Sequence, residues 1–296
     1  MPRLTAATAP LTRTVDVLDE FGATRHIAIP AERALTVFVD NRELVTLMTL
    51  GAAPELLVLG YLRNQRLVEQ LTDIDSITVD WDVQAAAVKT RAGIEHFDQK
   101  TAKRIVTTGC GQGTMFGDLM EDLESICLPG VNEPTARISQ SALYGLLNAM
   151  RLQESTYKSA GSVHACALFQ VTSKDADPEM LLFVEDVGRH NAIDTIAGWM
   201  AMNPGALNDA GGFVFYTTGR LTSEMVIKSA QMNVPIVVSR SGITQMGHVV
   251  AQALGLCAIG RATNKRFVAY ANPRRLVLQP ELAGPRPAPV ARAAPV

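Results

Sequence analysis

Between residues 163 and 271 the chain alternates short apolar runs with amphipathic ones, and this alternation restricts its fold more than any other feature. The runs at 163–171, 180–185, 213–217, 234–239, 257–259 and 267–271 are rich in β-branched and aromatic residues and read as strands. The intervening segments 190–202, 222–232 and 244–254 carry helical periodicity. Such a pattern predicts an α/β domain with a largely parallel sheet covered by helices. A further helix is expected to start near Asn132-Glu133-Pro134, because Ile138, Ala142, Leu146 and Met150 then recur on one face.

Upstream, ALTVFV and ELVTLMT flank Asp40-Asn41-Arg42 and predict a hairpin. Pro54 suits the first turn of a helix running through Leu62. Strand-like runs follow at 74–80 and 104–108, and the second leads into Thr107-Thr108-Gly109-Cys110-Gly111-Gln112-Gly113, too glycine-rich for regular structure. The expected organisation is a tail at 1–12, a smaller N-terminal α+β domain at 13–130 ending in the Cys110 loop, an α/β domain at 131–280, and a Pro/Ala-rich tail at 281–296. Both tails lack hydrophobic periodicity, which places them outside the fold.

Composition excludes several classes. The 27 Lys and Arg against 29 Asp and Glu leave a net charge of -2, which argues against a general nucleic-acid binder or a polybasic membrane protein. No apolar run approaches the roughly 20 residues that a membrane span needs, and the first dozen residues lack the core of a secretory signal. A soluble, cytoplasmic protein is expected. The four cysteines, Cys110, Cys127, Cys166 and Cys257, include no Cys-x-x-Cys, so neither a disulfide scaffold nor a zinc ribbon is encoded.

Charge is distributed unevenly at the strand ends. LLFVEDVGR, FVFYTTGR, IVVSR and LCAIGR each close an apolar run on an arginine, giving Arg189, Arg220, Arg240 and Arg261. Ligands of open α/β sheets sit beyond the carboxyl ends of the strands, and the guanidinium fork suits phosphate or diphosphate oxygens. The competing reading is that each arginine solvates a strand end or pairs with Glu185, Asp186 or Glu224. Lys265, Arg266, Arg274 and Arg275 extend the basic stretch, and no Asp or Glu occurs between Leu256 and Gln279.

Cys127, Cys166 and Cys257 lie among apolar residues, where structural thiols are expected. Cys110 lies in a Gly-rich loop whose backbone amides could stabilise a thiolate or persulfide. His190 follows Gly188-Arg189 and opens a helix, where it could bond a phosphate, assist proton transfer or simply cap the helix. His164 precedes Ala165-Cys166, but the zinc-deaminase pattern requires a glutamate where Cys166 stands and a downstream Pro-Cys-x-x-Cys that this chain lacks.

The blocks Val184-Glu185-Asp186-Val187-Gly188-Arg189-His190-Asn191-Ala192-Ile193-Asp194, Gly219-Arg220-Leu221-Thr222-Ser223-Glu224-Met225 and Val237-Val238-Ser239-Arg240-Ser241 resemble those of the formate dehydrogenase accessory protein family, FdhD. Gly161 and His164 resemble its Gly-Gly-x-His-Ala block, and a weaker similarity covers about residues 14–278. The resemblance implies a cytidine-deaminase-like α/β domain without zinc, joined to a smaller N-terminal domain. It implies a sulfurtransferase-like sulfur carrier that takes persulfide sulfur from a cysteine desulfurase and passes it to the Mo-bis(molybdopterin guanine dinucleotide) cofactor of formate dehydrogenase. The implied partners are therefore the desulfurase and the catalytic subunit of formate dehydrogenase, with a homodimer also consistent with the family.

By the same resemblance, Cys110 is the persulfide cysteine, and Arg261-Ala262-Thr263-Asn264-Lys265-Arg266 is a cofactor-binding segment beside Arg189, His190, Arg220, Ser223 and Arg240. The family usually has Cys-Gly-x-Cys-Gly in the loop, whereas Gly113 stands here at the second cysteine. That departure raises an alternative, a cofactor-binding chaperone that transfers no sulfur. A stand-alone hydrolase using Cys110 with His164 or His190 has no local signature to support it.

Overall fold

The computed structural model describes residues 1–95, 97–102, 104–107, 113–116, 122–133, 136–173, 176–207 and 212–284. Cys110 and the rest of 108–112 lie outside the described residues, as do Pro134 and residues 285–296.

The N-terminal lobe is built on five strands in the order β1-β6-β7-β4-β5, where β1 is Arg3–Leu4, β4 Arg33–Val39, β5 Arg42–Thr49, β6 Ile74–Asp80 and β7 Ala85–Thr90. Asp40 and Asn41 join β4 to β5 with φ of 46° and 67°. Two left-handed residues match the twist of a tight hairpin, which is why Asp-Asn suits this turn. A second hairpin pairs β2 (Thr12–Leu18) with β3 (Thr24–Pro30), and β8 (Arg104–Thr107) pairs with β9 (Gly113–Phe116). Helix α1 (Pro54–Asn64) begins on its proline as expected, while α2 (Phe97–Ala102) is a short helix ahead of β8. Leu57, Val58 and Leu62 of α1 pack with Leu35, Val37, Ile77 and Val88 of the sheet.

The expected tail at 1–12 is corrected. Arg3–Leu4 pairs in parallel with β6, and Glu55 of α1 accepts from Thr5 Oγ1 at 2.6 Å and from the Ala7 amide at 2.8 Å. An edge strand held by backbone bonds needs no apolar periodicity, so composition hides it.

In the C-terminal lobe, β10 (Ile138–Ser139) pairs with β17 (Leu276–Val277), followed by α3 (Gln140–Leu152) and the short α4 (Thr156–Ala160). The main sheet has the order β12-β11-β13-β14-β15-β16, with β11 His164–Val171, β12 Glu179–Asp186, β13 Gly212–Thr217, β14 Ile236–Ser239, β15 Cys257–Thr263 and β16 Arg266–Ala271. Helices α5 (Arg189–Met202), α6 (Ser223–Gln231) and α7 (Gln245–Ala253) connect them. Cys166, Leu168, Phe215 and Val237 face the core shared with α5, α6 and α7, while Ala167, Phe169, Val214 and Ile236 face the core under α3. Both faces are covered, so the strands read as continuous apolar runs rather than alternating ones.

Two further expectations change. Only β13, β14 and β15 run parallel, because β11 is antiparallel to both β12 and β13, and β16 is antiparallel to β15. The sheet is mixed; direct β-to-β connections at its edges look like any other strands in sequence. The helix expected from Asn132 starts at Gln140, since Ile138 and Ser139 are drawn into pairing with β17 and Ser139 Oγ caps the Ala142 amide at 3.2 Å.

The lobes meet where α1 crosses α5. A methyl group added at Gly60 would lie 1.7 Å from the Asp194 carbonyl oxygen, and one at Gly198 would lie 2.0 Å from that of Leu56. The two glycines therefore let backbone pack on backbone. Gly198→Ala is expected to lower stability by about 2–3 kcal/mol through overpacking, read as a lower urea midpoint, with Gly60→Ala at least as damaging.

Candidate functional site

Register fixes which residues share an edge. His164 pairs with Asp186, Cys166 with Thr217, and Thr217 with Ser239. The start of β11 and the ends of β12, β13, β14 and β15 thus lie along one side of the sheet. Arg220, Arg240 and Arg261 leave from that side on the turn or bulge that follows each strand's apolar part, and Arg189 opens α5 there.

These turns are held by hydrogen bonds from the strand ends. Thr217 Oγ1 accepts from the Gly219 amide at 3.0 Å and from Cys166 Sγ at 3.3 Å, while its carbonyl accepts from the Arg240 amide at 3.0 Å. Ser239 Oγ donates to the Gly219 carbonyl at 2.6 Å and accepts from the Ser241 amide at 2.9 Å. Arg261 has a φ of 51° and donates its amide to the Ser241 carbonyl at 2.6 Å. The register of β15 on β16 shifts between Gly260 and Thr263, so Arg261 sits on a bulge, a device that re-aims a side chain. At Gly260 a methyl group would meet the Tyr270 ring at 2.7 Å, which explains glycine there.

Arg220, Arg240, Arg261, Lys265 and Arg266 are exposed. The carboxylates named as competing partners are engaged elsewhere. Glu185 accepts from the Thr156 and Tyr157 amides at the start of α4, Asp186 docks the N-terminal lobe, and Glu224 faces Lys228 and His190. Among the described residues, none of these five cations forms an ion pair with a carboxylate. The edge therefore carries uncompensated positive charge, which the overall charge balance concealed.

Thr263, Asn264, Lys265 and Arg266 form the exposed end of the β15–β16 hairpin, with Asn264 at a φ of 54°. The Tyr144 hydroxyl of α3 donates to the Lys265 carbonyl at 3.1 Å and ties the hairpin to the lobe. Ala262 is buried in the core under α3, so only its backbone is available to a ligand. Ser223 is half-buried at the first turn of α6, whose cap residue is Thr222.

Arg189 and His190 differ from the exposed group. Both are buried at the start of α5, and Gly219 lies so close to Arg189 that an added methyl would meet its Cδ at 2.7 Å. Burial, reinforced by the nearby guanidiniums of Arg189 and Arg220, lowers the His164 pKa. Burial also pushes His190 down to about 3; Glu224 opposes this, whereas Lys228, Arg189 and His164 reinforce it. Gly188 occupies the cap position of α5, so His190 is not the capping residue.

The thiols divide sharply. Cys166 and Cys257 are fully buried and their pKa values are pushed up to about 12, chiefly by burial, so both remain inert thiols near neutral pH. Cys127 departs from expectation, being exposed in a cleft with Arg63 and Arg66. Its apolar neighbours Ile126 and Leu128 pack inward against the core and leave the thiol outside.

Sequence reasoning passed over the side chains that join the lobes at this edge. The Asp186 carboxylate accepts from Thr49 Oγ1 at 2.5 Å, the Leu50 amide at 3.1 Å, the Gly188 amide at 3.0 Å and Asn191 Nδ2 at 2.8 Å. Asn191 Nδ2 also donates to the Met48 carbonyl at 2.7 Å. Burial raises the Asp186 pKa, and those hydrogen bonds oppose it. Asp186 and Asn191 stood in a recognised block, but their partners in the other lobe, Met48, Thr49 and Leu50, are distant in the chain.

Such a fold and edge define an α/β protein that presents a cationic strand-end surface and is stapled to a second lobe. The FdhD/NarQ family model matches residues 30–277. A sulfur carrier protein FdhD of Bacillus subtilis is 31% identical over 247 residues, covering 83% of this chain and 88% of that protein. One from Halalkalibacterium halodurans is 26% identical over 267 residues, covering 90% and 94% respectively. The crystal structure of a candidate formate dehydrogenase accessory protein from Desulfotalea psychrophila superposes with a TM-score of 0.69 at 21% identity, covering 90% of this chain and all of that one, and shares the fold. The chain belongs to the FdhD/NarQ family. Among the described residues, no helix is long and apolar enough to cross a membrane, and no three His, Cys, Asp or Glu side chains are grouped to hold a metal ion.

The buried imidazole makes a prediction about acid stability. His190 binds a proton far less readily folded, with a pKa of about 3, than unfolded, near 6.5. Its contribution is fully present above about pH 6.5 and is lost as the pH falls toward 3. His190→Gln should remove that dependence, so the variant loses about 2 kcal/mol less stability than wild type between about pH 7.5 and about pH 5, as measured by urea unfolding at each pH.

Proposed function

We propose that this chain is a sulfur carrier for the maturation of formate dehydrogenase, which binds the Mo-bis(molybdopterin guanine dinucleotide) cofactor as its client. The observation that carries the reading is the sheet edge where Arg220, Arg240, Arg261, Lys265 and Arg266 are exposed without carboxylate partners among the described residues. Two diphosphates on the client would supply the missing negative charge, each guanidinium fork taking two oxygens. Family membership and relatives named sulfur carriers support the same role. A strand order with an antiparallel pair beside three parallel strands suits a cytidine-deaminase-like lobe.

In this reading Cys110 accepts sulfur from a cysteine desulfurase in the cytoplasm. Its thiolate attacks the outer sulfur of the desulfurase persulfide; a new sulfur–sulfur bond forms on Cys110 and the desulfurase cysteine leaves as thiolate. Passing that sulfur on as sulfide consumes two electrons. In a loop with two cysteines the second thiol could supply them by closing a disulfide, whereas Gly113 stands at that position here, so an external thiol must do so. The same glycine favours the second reading, a chaperone that delivers the cofactor without transferring sulfur.

The experiment incubates the protein with a desulfurase and free cysteine and weighs it by mass spectrometry. A mass gain of one sulfur atom on Cys110, absent in Cys110→Ala, is expected. Failure to gain it, with Cys110→Ala still supporting formate dehydrogenase activity, favours the chaperone. For the binding edge, Arg261→Ala and Arg266→Ala should each weaken GDP binding by about 1.5–3 kcal/mol in calorimetric titrations. Unchanged affinity in both would place the nucleotide elsewhere.

A further inference from the structure

The hairpin of β2 and β3 takes no part in the core of either lobe. None of residues 12–30 is buried, and among the described residues none of them joins a hydrophobic cluster. The two seven-residue strands pair with each other in unbroken register and with no third strand among the described residues. The ribbon is nevertheless held at both ends. Asp19 Oδ1 accepts from the Phe21 amide at 3.0 Å and from the Ala23 amide at 2.9 Å in the turn, and the Ala31 amide donates to the Leu11 carbonyl at 2.9 Å at the base. A two-stranded hairpin is marginal in water, and a third strand that continues its apolar face is what gives such a ribbon stability.

Register sorts the side chains onto two unlike faces. Arg13 pairs with Ile29, Val15 with Ile27 and Val17 with Arg25, so four aliphatic residues lie together with an arginine at either end. Arg13, Arg25 and Ile27 are exposed, and Val15, Val17 and Ile29 are half-buried. Neither arginine forms an ion pair among the described residues. On the opposite face Asp16 accepts from His26 Nδ1, so its charge is already engaged. Leu18 and Phe21, 72% and 86% exposed, carry the uncovered apolar surface on to the tip. Since β3 lies beside α4, β2 is the outer strand, and neither a proline nor a bulge blunts it.

We propose that β2 is a docking edge for an extended segment of a partner protein, which adds antiparallel to β2 as the third strand and carries two aliphatic residues and then an acidic one at alternate positions. The order follows from direction, because a strand antiparallel to β2 meets Val17, Val15 and Arg13 in turn. Backbone hydrogen bonds along β2 supply the binding, the aliphatic pair widens the Val15 and Val17 row, and the carboxylate stands opposite Arg13. None of these residues belongs to the cationic edge of the main sheet, so docking here does not depend on what that edge binds.

The isotopically labelled full chain is titrated with a blocked peptide as long as β2 that has valine, isoleucine and glutamate at alternate positions and threonine elsewhere. The amide resonances of residues 12–18 should shift, and a peptide with lysine in place of glutamate should bind about fivefold more weakly. Arg13→Glu changes an exposed side chain that the fold does not use, and it should reverse that preference. Arg25→Glu should leave the preference nearly unchanged, because β2 lies between Arg25 and the added strand.

Absence of a shift in the β2 amides with millimolar peptide overturns the proposal, as does an unaltered preference in Arg13→Glu. Equal effects of the two arginine substitutions would put the peptide across the aliphatic face and overturn strand addition. If the free protein sediments as a dimer and its β2 amides are already protected from hydrogen exchange, a second copy occupies the edge and the proposal falls.

Discussion

The architecture depends on how closely α1 and α5 approach. Glycines at 60 and 198 bring the helix backbones into contact, and that proximity lets the short side chains of Asn64 and Asp194 meet across the interface at 2.7 Å. Without it the two lobes would be joined by chain connectivity and a few apolar contacts. Once the helices touch, Asp186 can collect donors from Thr49 and Leu50 of one lobe and from Gly188 and Asn191 of the other. A carboxylate buried with four donors is stable only in that arrangement, since removing any one would leave charge or a polar group unsatisfied. The start of α5 is thereby fixed, and with it Arg189 and His190.

The same region divides electrostatic labour between depth and surface. Acids near the edge are committed inward: Glu185 to α4, Asp186 to the interlobe contact, and Asp194 and Glu224 to Lys228. The exposed arginines of the turns are left without acidic partners among the described residues, and the surface field is positive although acids are abundant nearby. Hydrogen-bond and ion-pair partners inside the protein, rather than burial itself, hold these acids away from solvent. A linear reading of FVEDVGRH places two acids beside the arginine and misses that the fold turns them inward, away from the exposed arginines.

Much of the C-terminal lobe was legible in the sequence because its strands are covered on both faces and its helices have one apolar side; β11 through β16 and α5 through α7 fall close to their expected bounds. Strand direction was not legible. An apolar run such as HACALFQV carries no mark of whether its neighbour is parallel or antiparallel, and pairing with β12 and β13 settled it. Arg3–Leu4 escaped notice because backbone bonds at a sheet edge impose no residue pattern. The helix at Gln140 began late because Ile138 and Ser139 found strand partners far along the chain. Cys127 was misjudged because apolar neighbours say nothing about which way one side chain on an irregular segment turns.

The sequence by itself determined the family, the run of strand-end arginines, the acid-free stretch before Gln279 and the single cysteine in a glycine-rich stretch, because each is a matter of residue identity and spacing. The tertiary structure alone decided that Arg220, Arg240 and Arg261 leave from one side of a sheet, that the nearby acids are spent on contacts within the protein, and that His190 is a buried neutral ring rather than a helix cap. These outcomes depend on strand register and on burial in a medium of low dielectric. Both arise from contacts between residues far apart in the chain, which no local pattern records.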